Sequence, residues 1–236
     1  MKLIILFLFL IPILLTAQET DSSYTLEFKT RQIYKPDMDI DWSKENLIKE
    51  FELKGKLNSK YSIQILDEDN SILSKFINGK WIVVDTITHS LEFNDSITIF
   101  LPSYTVTDFD KDGNEDLYCF VSSNMNGNSW TIIYLMNQQT NNLQKLNNIA
   151  ENSDYIWDAP VYNKKDKTIH CTRVSGNFGK SFESVYRLEN QIALPLKKYE
   201  TDNTKMDEKG EGGVKRKYIG KNGKWILIME KRNSKR

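Results

Sequence analysis

The stretch Asp108-Phe-Asp110-Lys-Asp112-Gly113-Asn-Glu-Asp116 runs directly into the apolar segment Leu117-Tyr-Cys-Phe-Val121. Carboxylates occupy positions 1, 3, 5 and 9 of this nine-residue loop, and glycine occupies position 6. Alternate residues of a tightly wound loop point inward, and Ca²⁺ collects oxygen ligands at about 2.3–2.6 Å. The spacing therefore predicts a Ca²⁺ site, with an ordinary solvated acidic turn as the alternative. The predicted ligands are Asp108, Asp110, Asp112, the main-chain carbonyl of Asn114, and Asp116.

The segment after this loop decides the fold class. An EF-hand would place a bidentate glutamate at position 12, where this chain has Cys119, and it would continue as a helix. Here Leu117–Val121 has the composition of a strand, as do a dozen other short segments rich in Ile, Val, Tyr, Phe and Trp and separated by Asn, Gly and Asp. Trp42–Phe51 is the best helix candidate. The sequence predicts an all-β protein, an antiparallel sandwich or meander built from hairpins with one calcium-binding loop.

Two segments with the same order of residues mark hairpins. Asn78-Gly79-Lys-Trp-Ile-Val resembles Asn222-Gly223-Lys-Trp-Ile-Leu, and Asn190-Gln191 has the same outline without the glycine. Asn-Gly favours the type I′ turn, whose twist matches that of paired strands. A propeller would need four or more similar blades. Because the calcium-loop motif occurs once, we favour a sandwich or meander over a propeller.

The N-terminus predicts export. Met1-Lys2 precedes an apolar run from Leu3 to Leu15 and then Thr16-Ala17, the pattern of a cleavable secretory signal peptide. The run is short for a transmembrane helix, which needs about 20 residues. We expect cleavage after Ala17 and a periplasmic or extracellular mature protein with no membrane association.

Composition divides the remaining chain. We predict a signal peptide at 1–17, an N-terminal β-rich region at 18–105, a calcium-loop β domain at 106–200, an exposed loop at 201–213 and a basic C-terminal hairpin at 214–236. The last segment holds nine Lys or Arg and one Glu, although the whole chain has a formal net charge of +0. Such a segment binds an anionic partner or protects an exposed sheet edge, and we favour the second interpretation, with no nucleic-acid partner.

Cys119 and Cys171 are the only cysteines. Each lies in a predicted strand, and an oxidising compartment permits one disulfide between them. The alternative is two buried thiols that pack as small hydrophobic side chains.

Catalytic motifs are missing from the sequence. There is no GxSxG, HExxH, CxxC or P-loop pattern, and the chain has two histidines, too few for a three-histidine metal site. The best-organised carboxylates belong to the predicted calcium loop. We therefore expect a protein that is not an enzyme.

The segment from Val106 to Glu200 resembles a known family. Its loop is similar to those of FG-GAP modules, and the order of motifs resembles periplasmic calcium-loop proteins that are immunity partners of secreted peptidoglycan hydrolases. Those proteins are similar in fold to periplasmic lysozyme inhibitors. The motifs that carry the resemblance are Asp116-Leu117, Asn126-Gly-Asn128, Trp130–Met136, Leu143–Leu146, Ala159–Asn163, Thr168–Arg173, Ser175-Gly176 and Ser184–Leu194.

The resemblance implies an inhibitory loop. In lysozyme inhibitors a Ser-Gly loop enters the hydrolase cleft, and Ser175, Gly176, Phe178 and Lys180 occupy the matching loop here, with Phe178 where a tyrosine is usual. A plain hairpin turn is the alternative. The resemblance implies an inhibitor or immunity protein against a cell-wall hydrolase or another secreted protein. The runner-up is a calcium-stabilised surface or carbohydrate-binding module with Trp130 and Trp157 as its platform.

Overall fold

The computed structural model describes residues 23–28, 47–67, 69–88, 103–123, 127–151, 155–175, 179–204, 206 and 212–232. Nearly all of the ordered structure in these ranges is β-strand, with one short 3-10 helix at Ile149–Glu151. This confirms the predicted all-β class. The strands are β1 (Tyr24–Thr25), β2 (Ile48–Leu53), β3 (Ser59–Ile65), β4 (Asn70–Ile77), β5 (Lys80–Thr88), β6 (Ser103–Thr107), β7 (Asp116–Ser123), β8 (Ser129–Asn137), β9 (Asn142–Lys145), β10 (Asn147–Asn148), β11 (Ile156–Asp158), β12 (Val161–Asn163), β13 (Thr168–Ser175), β14 (Lys180–Glu189), β15 (Ile192–Asp202), β16 (Val214–Lys221) and β17 (Lys224–Arg232).

The strands form three sheets. The N-terminal sheet is the meander β2-β3-β4-β5. The central sheet has the order β1-β6-β7-β8-β11, with β9 also paired to β8. The C-terminal sheet has the order β12-β13-β14-β15-β16-β17, with the short β10 parallel to β15. All other pairings among the described strands are antiparallel, as the predicted hairpins require.

Strand β8 explains how the sheets pack. Its seven inner residues, Trp130 to Met136, are all buried. Because side chains alternate along a strand, Ile132 and Tyr134 join one core with the N-terminal sheet, and Ile133 and Leu135 join another with the C-terminal sheet. The central sheet is therefore covered on both faces, which makes the fold a sandwich of three layers.

The hairpin turns have the predicted geometry. Asn78 and Gly79 have φ of 51° and 81°, and Asn222 and Gly223 have φ of 52° and 72°. Two positive φ values in succession define the type I′ turn, in which Asn and Gly are favoured. Asn190-Gln191, with φ of 49° and 62°, adopts the same turn without a glycine.

Some local predictions differ from the structure, and others concern residues outside the described ranges. Residues 48–51 of the helix candidate belong to strand β2, and Trp42 to Asn46 lie outside the described residues. Strand β6 crosses the predicted boundary at residue 105, and β15 continues to Asp202. The predicted C-terminal hairpin is formed by β16 and β17, which lie at the edge of the C-terminal sheet. The signal peptide also lies outside the described residues. Within them, no helix has the length and apolar character needed to cross a membrane.

Candidate functional site

The acidic loop lies between β6 and β7 and brings three of its carboxylates together. One oxygen from each of Asp108, Asp110 and Asp116 lies within 4.8 Å of the others, a grouping that could hold a metal ion. The carboxylate of Asp112 is not part of this group. It accepts hydrogen bonds from the Asn114 N–H and from Gln138 Nε2, both at 2.8 Å. The roles of Asp112 and of the Asn114 carbonyl as ligands stay predictions.

The side chain of Asp108, the first residue of the loop, holds the loop backbone in its turn. The two carboxylate oxygens of Asp108 accept hydrogen bonds from the N–H groups of Asp112 and Gly113, each at 3.1 Å. Lys111 and Gly113 have positive φ, 57° and 93°. Glycine adopts a positive φ without steric strain, which explains the glycine at position 6 of the loop.

Asp116 closes the loop from inside the protein. It is buried, and its two oxygens accept hydrogen bonds from the N–H groups of Phe109, at 2.9 Å, and Met136, at 2.8 Å. The first bond joins the two ends of the loop, and the second fixes the loop to strand β8. The last acidic residue of the motif is therefore anchored in the central sheet.

Without a cation the carboxylates oppose one another. Burial, followed by the charges of Asp112 and Asp108, raises the pKa of Asp110 from 3.8 to about 7. Burial also raises the pKa of Asp108, and it raises the pKa of Asp116 well above its ordinary value. A bound cation would offset both the burial and the repulsion, because it favours the charged form of each group.

One carboxylate oxygen of Asp110 lacks a hydrogen-bond partner. Among the described residues, Asp110 Oδ1 is one of three buried side-chain oxygens without one. Buried polar atoms are nearly always paired, so Asp110 Oδ1 is a candidate ligand for a cation. A hard cation fits this position, because all the converging ligands are carboxylate oxygens.

The same loop docks on the N-terminal sheet through residues that sequence reasoning missed. Glu115 is buried and accepts a 2.7 Å hydrogen bond from the Lys54 N–H, while the Lys56 N–H donates to Asn114 Oδ1 at 3.0 Å. A Cβ on Gly55 would lie 2.6 Å from Asn114 Oδ1, so the close approach requires glycine. The sequence shows only a Lys-Gly-Lys turn at 54–56, which carries no sign of this contact.

On the other side the loop reaches the C-terminal sheet. The ring of Phe109 lies 6.2 Å from that of Tyr118 in β7 and 6.0 Å from that of Tyr162 in β12, measured between centroids. The acidic loop, which connects two strands of the central sheet, therefore also contacts the other two sheets.

The predicted inhibitory loop connects β13 to β14. Ser175 ends β13 and pairs with Lys180 across the hairpin, while Gly176 and Phe178 lie outside the described residues. Lys180 Nζ lies 3.4 Å from Asp202 Oδ2 on β15. Tyr162, which contacts Phe109 of the acidic loop, pairs with Ile169 near the start of β13. The Ser175–Lys180 loop follows the other end of β13, so it lies far along the strand from the acidic loop.

The base of this loop is held by a buried asparagine. Asn128, before β8, donates through Nδ2 to the Val174 carbonyl at 2.5 Å and accepts from the Val174 N–H at 2.6 Å. A side-chain amide thus pairs with both backbone groups of one residue, as a neighbouring strand would. The Gly-Asn turn was recognised in the sequence as part of the resemblance, but its contact with Val174 was not.

The possible disulfide between Cys119 and Cys171 is not formed. Both cysteines are buried. Cys119 belongs to the core between the N-terminal and central sheets, and Cys171 to the core between the central and C-terminal sheets. The central sheet lies between them, so the alternative of two buried thiols is correct.

The aromatic platform is also wrong. Trp157 is 1% exposed, donates through Nε1 to the Leu146 carbonyl and packs edge-on against Tyr186 at 5.2 Å. Trp130 is 8% exposed. Neither ring is available to stack on a sugar.

Comparisons with known proteins give one distant structural similarity. No protein-family model matches the chain. No curated protein sequence matches it either. Among solved structures, the chain is similar to a protein described as "Structure of a Xanthomonas Type IV Secretion System related protein", with 12% sequence identity and a TM-score of 0.48. The match covers 87% of this chain and 99% of that one. A similarity this distant assigns no function.

Proposed function

We propose that this protein is a secreted, calcium-binding β-protein that inhibits a peptidoglycan hydrolase, as an immunity protein does. The protein is not itself an enzyme in this proposal. The observation that carries it is the pair of hydrogen bonds between the Asn128 side chain and the backbone of Val174, which fixes the base of the Ser175–Lys180 loop. A loop that plugs a cleft must be held before binding, because ordering it at the moment of binding lowers the affinity.

The chemistry of the loop suits the cleft of a muramidase. Such a cleft contains a pair of catalytic carboxyl groups. A serine hydroxyl and backbone N–H groups can donate hydrogen bonds to a carboxylate, and glycine allows the backbone to approach closely. Arg173 is exposed two residues before Ser175 and adds a positive charge.

Two basic residues, Lys180 and Arg232, lie at the same end of the C-terminal sheet, and each has an acidic neighbour, Asp202 or Glu230. The register places Lys180 opposite Asp202, Asp202 opposite Val214, and Val214 opposite Arg232. The side chain of Arg232 is 78% exposed. An acidic cleft would therefore meet positive charge both in the loop and beside it, which favours association.

Calcium is the ion we propose for the acidic loop. Ca²⁺ accepts six to eight oxygen ligands in a flexible geometry, whereas Mg²⁺ demands a near-ideal octahedron and keeps several waters. Asp108, Asp110 and Asp116 supply three carboxylates. In the proposal Asp112 exchanges its hydrogen bonds from Asn114 and Gln138 for the ion, and the Asn114 carbonyl adds a further ligand. The role of the ion is to fasten the three sheets at their shared contact.

The described residues do not favour a carbohydrate-binding module. The predicted platform is buried, and the exposed pair Phe76 and Trp81 has an interplanar angle of 60°, so the two rings do not form a flat surface. Sugars stack on coplanar faces, which this pair does not provide.

The test is an inhibition assay against a panel of purified muramidases and other secreted peptidoglycan hydrolases, with cell-wall clearing as the readout. We expect the wild type to inhibit at least one. Ser175→Ala combined with Lys180→Ala should weaken that inhibition at least about tenfold, because interface energy concentrates in a few central residues.

The matched control is Lys165→Ala together with Ser181→Ala, which also removes one lysine and one serine. Lys165 is exposed in the turn before β13, and Ser181 is an exposed strand residue beyond the hairpin tip. This control should inhibit as the wild type does, and both double variants should keep the calcium-dependent melting. A wild type that inhibits no hydrolase in the panel would overturn the proposal, even if it binds calcium.

A further inference from the structure

Strand β17 carries an exposed apolar run at the edge of the C-terminal sheet. Ile226, Leu227, Ile228 and Met229 are 42%, 48%, 50% and 44% exposed. Ile226 and Leu227 point to opposite faces of the strand, and Ile228 is the extra residue of a β-bulge before Met229. The exposure of all four residues therefore means that neither face is covered there. Isolated exposed apolar residues are normal, but a contiguous run marks an interaction site.

The backbone edge of β17 is also open. In the part of the chain that the structure describes, β17 is the last strand of its sheet and pairs only with β16. The residues that flank a two-residue turn form a hydrogen-bonded pair, and the pattern alternates from there. Lys221 and Lys224 flank the turn, so Leu227, opposite Tyr218, directs its N–H and C=O away from β16.

The flanks of the apolar run are positively charged. Lys224 lies before it, and Lys231 and Arg232 follow Glu230. Glu230 already forms an ion pair with Arg216, whose Nε donates a hydrogen bond to the Glu230 carboxylate at 2.8 Å. The edge therefore offers unpaired backbone groups and apolar side chains between two positive ends.

We propose that the β17 edge binds an extended segment of another protein, apolar in its centre and acidic at its ends, by strand addition. In this mode main-chain hydrogen bonds supply affinity, and the alternating side chains and the charges supply specificity. This inference does not depend on the proposed function. Arg232 lies beside both surfaces, but the apolar run Ile226–Met229 and the outward backbone of Leu227 belong to β17 alone.

Two other occupants fit less well. A lipid bilayer cannot satisfy the backbone groups of an open strand edge. A second copy paired antiparallel about Leu227 would place Lys224 opposite Glu230, which already pairs with Arg216, and would offer no acidic residue to Lys231 or Arg232.

Strand β5 provides an internal control. It repeats the Asn-Gly-Lys-Trp-Ile order and exposes Trp81 to Val84 at the edge of the N-terminal sheet. Val83 corresponds to Leu227 and lies opposite Ser74 with the same outward backbone. However, β5 has no basic residue after its apolar run, where Asp85 forms an ion pair with Lys145.

The experiment uses a fluorescein-labelled peptide, Glu-Glu-Val-Thr-Val-Thr-Val-Glu-Glu, and a Lys-flanked version of the same core. Fluorescence anisotropy should show binding of the acidic peptide and at least about tenfold weaker binding of the basic one. Leu227→Pro should weaken binding of the acidic peptide at least about tenfold, because proline removes an outward N–H that the hairpin itself does not use. Val83→Pro should leave it unchanged.

If Leu227→Pro fails to fold, hydrogen exchange of the wild-type protein provides a second test. The acidic peptide should slow exchange at Leu227 and leave Val83 unaffected. No binding, equal binding of both peptides, or protection of Val83 in place of Leu227 would overturn the proposal. Binding of β17 to anionic vesicles without peptide binding, or dimers that Leu227→Pro dissociates, would replace the proposed partner with a membrane or a second copy.

Discussion

Glu115 and Lys54 hold each other by two hydrogen bonds between different sheets. The Lys54 N–H donates to Glu115 Oε2 at 2.7 Å, and the Glu115 N–H donates to the Lys54 carbonyl at 2.8 Å. Glu115 lies inside the acidic loop, directly before its last carboxylate, and Lys54 directly follows the first strand of the N-terminal sheet. The acidic loop is therefore hydrogen-bonded directly to the end of the first strand of the N-terminal sheet.

Calcium should stabilise the whole fold. An ion that binds only the native state adds about 2.7 kcal/mol at a free concentration of about 100 Kd. For a chain of this size that raises Tm by about 5–10 °C. We expect this difference between chelator-treated protein and protein in millimolar Ca²⁺, measured by differential scanning calorimetry.

Asp110→Ala should remove the difference, because it deletes the half-buried carboxylate whose buried Oδ1 has no hydrogen-bond partner. Asp69→Ala is the matched control, since Asp69 is exposed in the β3–β4 turn, and it should keep the difference. Identical melting of the wild type with and without Ca²⁺ would contradict the metal site.

The metal-free protein should lose stability as the pH rises from about 5 to about 7.5. Asp110 has a native pKa of about 7, above its ordinary value of 3.8. Between these values the native state binds more protons than the unfolded state, so the free energy of unfolding falls with increasing pH. Chelator-treated wild type should therefore melt lower at the upper end of this range than at the lower end, and Asp110→Asn should flatten this slope. A wild-type slope that Asp110→Asn leaves unchanged would assign it to other groups.

Gly55→Ala should weaken the docking of the metal loop. The new Cβ would lie 2.6 Å from Asn114 Oδ1, and Asn114 is buried and bonded to the Lys56 N–H. Overpacking of this kind costs about 1–3 kcal/mol. In an Asn114→Ala background the same substitution should cost less, because the atom it meets is gone. Additive losses in urea denaturation of the double variant would argue against the contact.

The two cysteines should behave as buried thiols. Neither should react with iodoacetamide in the folded protein, both should react after unfolding, and the intact mass should lie two hydrogens above that of a bridged chain. Reduction should leave Tm unchanged. A bridged species in the non-reduced protein would require the two cores to exchange a cysteine and would overturn the three-layer arrangement.

The sequence indicated the strands and their turns because those signals are local. Alternating and apolar runs identified β7, β8 and β13, and Asn-Gly identified two type I′ turns. Short strands such as β10, β11 and β12 were missed, since two or three residues carry too little pattern. Two predictions overlap before the N-terminal sheet, a strand at Lys49–Leu53 and a helix candidate at Trp42–Phe51, and the structure confirms the strand.

The site was only partly predictable. The spacing of the acidic loop identified Asp108, Asp110 and Asp116, which the structure brings together. It could not reveal that Glu115 bonds to Lys54, because contacts between distant segments depend on sheet packing. For the same reason, alternation placed Cys119 and Cys171 on the inner faces of their strands but could not show that these faces belong to different cores.

Asn128 should govern the Ser175–Lys180 loop. Asn128→Ala would leave the N–H and C=O of Val174 without their partner at a part-buried position, at a cost of about 1–3 kcal/mol for each group that stays unsatisfied. We expect faster hydrogen exchange at Val174 and at least about tenfold weaker inhibition of the target hydrolase.

Asn137→Ala is the control at the other end of the same strand. Asn137 accepts from the N–H groups of Gln139 and Thr140 in an exposed turn, so its loss should lower Tm slightly and leave inhibition intact. If Asn128→Ala speeds exchange at Val174 but inhibits as well as the wild type, the hydrolase must bind elsewhere. In that case the loop between β13 and β14 is a hairpin turn without an inhibitory role.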